Sequence, residues 1–403
     1  MPPLHRTKIT TRTPLALNWK NYFIMTRVEA RAAGVVGRAK VLLLCKHAGF
    51  GGTERFVQHL AFGLRRYGVT ARVVLPRSEA SPDVLAWFGG HGVEAEAISP
   101  VGSHTRIADV LPLGRFVRAL NVDTVNLHYA WSGIPLKDVF AVRILGRTRC
   151  VVSLHLLEAP SFARRTFATL LAAFLCDAII VLDDSLRARL VRAGVPASKV
   201  HVIPVGVPAS RRSIGRAVAR QELGIPPDAF VVSTVARLTA IKGIDLLIDA
   251  LARLPDPDSR IHLLVAGTGP ARPGLEAAAR ERLAGRGRFL GFVNEPAPVY
   301  AAADVFALPS LQEGIPLAIL EAAHHGIPAV GSDLSGVRRA IVDQQTGLIV
   351  PPGNAQALAD AIDRFRVDPV LRERCGLAAR RHVETAFDAA TVIRRYADIL
   401  APS

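Results

Sequence analysis

The chain has 403 residues, half of them hydrophobic, and a formal net charge of +16. This length fits two domains of ordinary size better than one, and the hydrophobic content suffices for two cores. The sequence has no run of 18 or more apolar residues, which argues against a transmembrane helix, and its four scattered cysteines lack metal-ligand spacing and fit a reducing cytoplasm.

The positive charge is concentrated in the first half of the chain. Residues 1–207 contain 27 Lys or Arg and 13 Asp or Glu, whereas residues 208–403 contain 23 and 21. We therefore expect the first half to face a polyanion, either an anionic membrane or nucleic acid; an arginine-rich composition without function is the alternative. Residues 1–37 are predicted to be a disordered extension, because they are basic and lack the apolar core of a secretory signal, and Met25 offers an alternative start.

Residues 38–207 alternate short apolar runs with amphipathic stretches. Most of the runs are rich in Val, Ile and Leu and lack polar alternation, which is typical of strands buried on both faces. Strand–helix alternation predicts right-handed parallel crossovers and a doubly wound, Rossmann-like sheet. The strands predicted in this half are Val41–Cys45, Ala71–Pro76, Val93–Ser99, Thr124–Tyr129, Cys150–His155, Ala178–Leu182 and Val200–Val205.

A paired-glycine turn, Gly51-Gly52, follows the first predicted strand and opens the helical stretch Thr53–Tyr67. Glycines let a ligand approach the backbone closely, and unpaired N–H groups at a helix start suit phosphate. We therefore predict a phosphate contact at this turn. A plain loop turn is the alternative, because a lone glycine pair is common punctuation.

Two histidines end predicted strands in this half. His155 and His128 each lie at a strand's carboxyl end, where open α/β sheets bind ligands. His155 is the stronger functional candidate, and a structural role is the default for His128. The adjacent acids Asp183-Asp184 would point apart on an extended chain, so they predict a cap for the helix Ser185–Ala193 rather than a metal site.

Two segments of the first half, Leu136–Arg149 and Pro160–Cys176, combine apolar side chains with arginines. This composition is typical of an interfacial membrane helix. An ordinary surface helix packed on the sheet has the same composition, so both interpretations stay open.

The second half repeats the alternation after a join near Pro204–Pro208. We therefore predict a second doubly wound, Rossmann-like domain that begins at residue 208; the resemblance described below implies that it extends to residue 384 and faces the first domain across a cleft. The strands predicted in this half are Phe230–Ala236, Ile261–Ala266, Arg288–Phe292, Val305–Pro309, Pro328–Ser332 and Gly347–Val350.

Arg237 and Lys242 lie in the loop after the first strand of the second half. Two cations five residues apart in such a loop can close on a diphosphate, since Arg offers a planar fork and Lys a mobile point charge. A solvated pair of charges is the alternative.

Glu313 and Glu321 form the most informative pair in the sequence. The apolar strand Val305–Pro309 precedes them, and a helix is predicted to begin at Pro316, because proline suits the first helical position. The positive end of a helix suits phosphate, and carboxylates beside it can accept hydrogen bonds from sugar hydroxyls. Phosphate together with hydroxyls indicates a nucleotide sugar.

The segment Glu313–Leu317, followed by Glu321, resembles the Glu-x7-Glu motif of the retaining family 4 glycosyltransferases, which have the GT-B fold. The family usually reads Glu-Gly-Phe-Gly-Leu, so Pro316 removes one backbone donor here. Three further elements are similar to family motifs and follow in family order: Gly51-Gly52 with Glu54-Arg55, Arg237-Leu238 with Lys242-Gly243, and the base-binding loop Gly291-Phe292-Val293.

The resemblance implies an enzyme that transfers a sugar, with retention, from a nucleotide-diphosphate sugar of the UDP or GDP type to an acceptor hydroxyl. The first domain would hold the acceptor, the second the donor, and residues 385–403 would form a helix that crosses back to the first domain. The residues expected to be catalytic are His155, Arg237, Lys242 and Glu313, and those expected to bind the donor are Gly51, Gly52, Gly291, Phe292, Val293, Gly314, Ile315, Leu317 and Glu321.

Neither a metal nor another cofactor is expected, because Arg237 and Lys242 would supply the positive charge that other transferases take from a divalent ion. The basic first domain suits a lipid-linked or saccharide acceptor in cell-surface polysaccharide synthesis, for example of lipopolysaccharide. The protein would then be cytoplasmic, with peripheral contact to the inner face of the membrane.

Three other functions compete with this one. A nucleotide-sugar epimerase of the same architecture would need no acceptor, and a non-catalytic sugar-nucleotide-binding protein would show no turnover. A nucleic-acid-binding protein is suggested by charge alone, and no helix-turn-helix, zinc or aromatic-rich sheet motif supports it, so nucleic acid is not an expected partner.

Overall fold

The computed structural model describes residues 39–46, 51–77, 80, 82–99, 105–129, 134, 136–155, 162–208, 214–255 and 260–401, without the side chains of residues 162–167. The predicted extension over residues 1–37 lies outside the described residues.

The first half of the chain forms one parallel sheet of seven strands in the order β3-β2-β1-β4-β5-β6-β7. Buried side chains fill both faces of its central strands, as their unbroken apolar runs require. The strands are β1 (Ala39–Cys45), β2 (Val69–Pro76), β3 (Ala95–Ile98), β4 (Thr124–Tyr129), β5 (Arg149–Leu154), β6 (Ala178–Val181) and β7 (Val200–Val202).

The second half forms a parallel sheet of six strands in the order β10-β9-β8-β11-β12-β13. Together the two sheets confirm the predicted fold class of two doubly wound α/β units. The strands are β8 (Phe230–Val235), β9 (Ile261–Ala266), β10 (Gly287–Gly291), β11 (Val305–Leu308), β12 (Ala329–Ser332) and β13 (Gly347–Val350).

Helices connect the strands of both sheets. The helices of the first half are α1 (Gly52–Leu64), α2 (Pro82–Gly90), α3 (Ile107–Leu120), α4 (Leu136–Phe140) with a π-helical continuation (Ala141–Leu145), α5 (Phe162–Leu175) and α6 (Asp184–Arg192). The later helices are α7 (Arg216–Glu222), α8 (Ile244–Ala252), α9 (Arg272–Arg282), α10 (Ala297–Ala302), α11 (Leu317–His324), α12 (Ser335–Ala340), α13 (Ala355–Val367), α14 (Pro369–Ala386) and α15 (Ala389–Leu400). Short 3₁₀ turns cover Arg65–Tyr67, Ala197–Lys199 and Ala240–Lys242.

The ends of several strands differ from the predicted bounds. The strand predicted over Val200–Val205 ends at Val202; the N–H of Ile203 donates the last bond to β6, at the carbonyl of Val181, and Pro204 follows. The strand predicted from Val93 begins only at Ala95, since the N–H of Val93 bonds back to α2 at Phe88. These differences leave the order of the elements unchanged.

The chain crosses back to the first sheet at its end through one helix, α15, which begins at Ala389 rather than at the predicted Thr385. Helix α14 ends at Ala386, and the Asp388 side chain then caps α15 by accepting from the N–H of Thr391 at 2.8 Å. Helix α15 packs on α1, and its Leu400 carbonyl accepts from Thr124 at the start of β4.

The strand order of each sheet reverses once, between β1 and β4 in the first sheet and between β8 and β11 in the second. A ligand crevice is expected outside the carboxyl ends of the strands that flank such a reversal. Across the described residues, no helix is long and apolar enough to cross a membrane.

Candidate functional site

A cleft of about 370 Å³ lies between the carboxyl ends of the two sheets. Both halves of the chain contribute to its wall, through residues that follow β1 and β5 in the first sheet and β8 and β11 in the second. All of the predicted site residues except Gly291 line it: Gly51, Gly52, His155, Arg237, Lys242, Phe292, Val293, Glu313, Gly314, Ile315, Leu317 and Glu321.

Gly291 is the predicted donor-binding residue that the structure keeps out of the cleft wall. It ends β10 with a φ of +74°, and its carbonyl accepts from the N–H of Gly267 at 2.7 Å. Gly267 in turn lies so close to the carbonyl of Ala236 that a Cβ could not fit there. Gly291 therefore supports the turn beside the cleft instead of forming its wall.

Lys242 and Glu313 form an ion pair in the cleft, with Nζ 2.5 Å from Oε1. The Ser310 hydroxyl donates to the same carboxylate oxygen at 3.1 Å. Gly243, with a φ of +63°, lets the lysine loop approach the glutamate loop, because a Cβ there would collide with the carbonyl oxygen of Pro309. The backbone thus brings two residues 71 positions apart into one charged unit.

Arg237 is the exposed cation of the cleft. Its loop is anchored by a hydrogen bond from the N–H of Leu238 to the carbonyl of Thr268 at 2.8 Å. Its guanidinium forms no hydrogen bond or ion pair with the part of the chain that the structure describes, so the fork is available to a bound anion.

Helix α11 points its start at the cleft. The predicted start at Pro316 is wrong by one residue: Pro316 is the N-cap, with a ψ of 108°, and Leu317 is the first helical residue. Proline's fixed φ fits either position, and only ψ separates them. The first N–H groups of a helix have no partner within it, so those of Leu317 and Ala318 lie where an anion would meet them.

Glu321, on α11, is held by groups from both halves of the chain. The Tyr300 hydroxyl donates to its Oε2 at 2.6 Å, and Arg55 approaches the same oxygen at 3.5 Å. Burial and then the Glu321 carboxylate raise the pKa of Tyr300 well above its usual value, which keeps the phenol protonated. Burial alone would lower the pKa of Arg55, but the combined fields of Glu321, Tyr300 and Glu295 outweigh burial, and the pKa is raised.

Arg55 and Tyr300 were not predicted as site residues. Arg55 appears in the sequence only as the end of the Gly-Gly-x-Glu-Arg element, and Tyr300 as part of an alanine-rich helix. The single available signal was that element itself, in which Arg55 lies in the first turn of α1, three residues after Gly52.

His155 lies in the cleft wall as predicted from its strand end. Its ring is buried, packs edge-on against Phe56 at 5.6 Å between centroids, and places Nε2 2.8 Å from Nδ1 of His128. Burial lowers the pKa of His155 to about 4, so the imidazole is neutral near pH 7.

A buried ion pair beside the first sheet also escaped prediction. Lys46, directly after β1, contacts Asp138 at 3.0 Å and Thr105 at 2.6 Å, and the Tyr129 hydroxyl donates to Asp138 at 2.7 Å. Burial, then the Asp138 carboxylate, raises the pKa of Tyr129 well above its usual value. The cluster ties together the ends of β1 and β4 with α4 and with Thr105, two residues before the start of α3.

The acids Asp183-Asp184 cap a helix, as predicted. The Asp183 carboxylate accepts from the N–H of Leu186 at 2.8 Å at the start of α6. Within the described ranges, no group of three or more His, Cys, Asp or Glu side chains is arranged to hold a metal ion.

The chain matches two protein families and several characterised relatives. The family model described as "Glycosyl transferases group 1" matches residues 215–382, and that described as "Glycosyltransferase Family 4" matches residues 50–211. A D-inositol 3-phosphate glycosyltransferase of Kineococcus radiotolerans is 30% identical over 83% of this chain and 86% of that protein.

One further relative and one solved structure of the same fold extend the comparison. The lipopolysaccharide core biosynthesis glycosyltransferase LpsE of Rhizobium meliloti is 34% identical over 46% of this chain and 55% of that protein. The crystal structure of Anabaena HepE in complex with UDP-glucose superposes with a TM-score of 0.77 and 23% identity, over 91% of this chain and 100% of that one.

Proposed function

This chain belongs to glycosyltransferase family 4 and is a glycosyltransferase of the GT-B fold, and we propose that it moves a sugar, with retention, from a nucleotide-diphosphate sugar to an acceptor hydroxyl. Residues 208–384 would bind the donor and residues 38–207 the acceptor, and residues 385–403 would close the structure against the first domain. The observation that carries the proposal is the convergence of Arg237, Lys242, Glu313 and Glu321 with the start of α11 in one cleft.

The cations of the cleft suit the diphosphate of the donor. When the nucleoside diphosphate leaves, negative charge builds on its β-phosphate, and stabilising such charge is usually the largest catalytic effect. The exposed fork of Arg237, the ammonium of Lys242 and the backbone N–H groups at Gly52 and Gly314 are the donors that would meet that charge. Metal-independent transfer follows if these groups supply all the stabilisation.

The carboxylates of the cleft suit the hydroxyls of the donor. Glu321, in the first turns of α11, would accept from the ribose, and Glu313 would orient the sugar. Glu313 contacts Lys242 at 2.5 Å, so the carboxylate that would hold the sugar lies next to the ammonium that would stabilise the phosphate. Gly51, Phe292, Val293, Ile315 and Leu317 would shape the wall around base and sugar, and His155 would line the reaction centre.

We place UDP-sugars before GDP-sugars as donors, because a structure with the same fold, Anabaena HepE, is described in complex with UDP-glucose. Free nucleoside diphosphate should appear only when both donor and acceptor are present. An epimerase would convert the donor without any acceptor, and a non-catalytic binding protein would bind the donor without turnover.

A lipid-linked acceptor is favoured by the outer surface of the first domain. Helices α3, α4 with its π-helical continuation, and α5 lie side by side there. They expose large apolar side chains next to cations, an arrangement that suits the interface of an anionic membrane. The exposed apolar residues are Ile107, Leu111, Phe140, Ile144, Leu171 and Phe174, and the exposed cations are Arg115, Arg118, Lys137, Arg143 and Arg147.

This surface makes peripheral contact with the inner face of the cytoplasmic membrane part of the proposal. Polysaccharide synthesis at the cell surface, of the kind to which LpsE of Rhizobium meliloti is assigned, is the pathway it suits. The four buried cysteines are all free thiols, which fits a cytoplasmic location.

Membrane contact is tested by sedimentation with vesicles of phosphatidylglycerol and phosphatidylcholine. The triple variant Ile107→Ser, Phe140→Ser and Phe174→Ser should lose binding without losing donor affinity. The matched control changes the exposed apolar residues Val367 and Val370 of the second half to Ser and should bind as the wild type does. Equal binding by all three proteins would remove this part of the proposal.

The function itself is tested by screening UDP- and GDP-sugars for a thermal shift and then following nucleoside diphosphate release with lipid and saccharide acceptors in excess chelator. The proposal expects stabilisation by at least one donor and acceptor-dependent release. Conversion of the donor in the absence of acceptor would favour the epimerase instead.

A further inference from the structure

A second histidine, His128, is hydrogen-bonded to the histidine that lines the cleft. Its Nδ1 lies 2.8 Å from Nε2 of His155, and the two rings are inclined by only 15° with centroids 5.2 Å apart. Nearly coplanar rings joined nitrogen to nitrogen at this distance indicate an in-plane N–H···N hydrogen bond. The two side chains therefore act as one unit at the carboxyl ends of β4 and β5.

Both histidines are neutral near pH 7. The His128 ring is 1% exposed and His155 is 7% exposed. Burial, and then the neighbouring His155, lowers the pKa of His128 well below its usual value, and burial lowers that of His155 to about 4. A neutral imidazole carries its one N–H on either Nδ1 or Nε2. The direction of the hydrogen bond between the rings therefore decides which nitrogen of each histidine is protonated.

The surroundings of His128 favour one of the two proton arrangements. Its Nε2 is buried and has no hydrogen-bond partner among the described residues. An orphaned buried N–H group is rarer than an unpaired acceptor, so Nε2 is the bare nitrogen and the proton of His128 lies on Nδ1. That N–H donates to Nε2 of His155, which leaves the proton of His155 on its own Nδ1.

We propose that His128 is a positioning residue that holds His155 as the Nδ1–H tautomer, so that His155 donates a hydrogen bond to a hydroxyl of the donor sugar in the cleft. The Nδ1 atom of His155 has no partner among the residues that the structure describes, and the ring lines the cleft. This inference rests on the proposed function for its substrate, but the pairing of the rings does not.

Two substitutions of His128 separate positioning from packing. In His128→Asn the amide nitrogen lies near the former Nδ1 and can still donate to His155, whereas His128→Leu removes the donor and keeps the bulk. We expect His128→Leu to lower kcat roughly tenfold, as for one lost hydrogen bond, with little change in donor KM. His128→Asn should retain most of the wild-type kcat.

A double variant shows whether His128 acts through its partner. In a His155→Ala background, His128→Leu should cause no further loss of kcat, because the group that it positions is gone. Equal losses in the Leu and Asn variants, or an additive loss in the double variant, would overturn the inference, because packing or an independent role would then explain the effect.

The tautomer can be read without any turnover. Long-range ¹H–¹⁵N spectra of the intact protein should show His155 protonated on Nδ1 in the wild type and in His128→Asn, and shifted toward the Nε2–H form in His128→Leu. A wild-type His155 protonated on Nε2 would refute the inference even if sugar transfer is observed. If no transfer is found with any acceptor, the spectra still decide it.

Discussion

Replacing Lys242 by Ala removes the cation that lies against Glu313, and this change probes the proposed chemistry most closely. The Lys242 side chain is 19% exposed and that of Glu313 11%, so water screens the pair only in part. At an effective dielectric constant of 20, two unit charges about 4 Å apart interact by roughly 4 kcal/mol. The donor phosphates that Lys242 would stabilise are charged before as well as after the bond from sugar to phosphate breaks. Only part of the attraction between the ammonium and these phosphates is therefore gained in the transition state.

We therefore expect Lys242→Ala to lower kcat by roughly 10²–10³-fold, as for one lost charge-stabilising group. The carboxylate of Glu313 would also lose its counter-ion and repel the leaving diphosphate. The assay is nucleoside diphosphate release at saturating acceptor, with kcat and donor KM determined separately. Lys40→Ala, which changes an exposed lysine at the opposite end of β1, is the matched control and should behave as the wild type does. A wild-type kcat in Lys242→Ala would refute the electrostatic reasoning.

Three other predictions address the donor site and its scaffold. Glu321→Gln should raise donor KM roughly tenfold, because the charged acceptor proposed for the ribose becomes a neutral one, and a titration that shows unchanged donor affinity would contradict this role. Gly243→Ala should lower Tm and kcat together, since its Cβ would meet the carbonyl of Pro309, whereas Gly353→Ala carries similar φ strain with open space around it and should cost only about 1 kcal/mol. Burial lowers the pKa of His155 from 6.5 to about 4, so protonation of this residue should make Tm fall as the pH drops from 6.5 to about 4. In His155→Phe, calorimetry should show a shallower fall of Tm with pH. A dependence of Tm on pH equal to that of the wild type would contradict the neutral state of His155.

The fold could be predicted because parallel strands buried on both faces leave a simple pattern. The strand Ile261–Ala266 has the bounds predicted for it, since its neighbours in the chain are polar and its own residues are almost all apolar. The end of the strand after Val200 could not be predicted from hydrophobicity, because the apolar run continues to Val205 while the last bond to β6 is donated by the N–H of Ile203. Patterns of side chains report burial, and the ladder depends on backbone donors as well.

The candidate site was predicted where a residue follows directly from a strand end, and was missed where it depends on distance through space. His155 follows β5 immediately and Arg237 lies two residues after β8, so the sheets alone bring them to the cleft. The contact of Arg55 with Glu321 joins residues 266 positions apart and depends on how the two sheets face each other. The closure of Lys46 on Asp138 depends likewise on the packing of α4, which spacing along the chain does not encode.

The most direct test of the central claim is a crystal structure of the protein with a bound nucleoside diphosphate. The account predicts the diphosphate between the guanidinium of Arg237, the ammonium of Lys242 and the start of α11, with the ribose hydroxyls on Glu321. A nucleotide bound elsewhere on the protein, with these four groups out of its reach, would contradict the account.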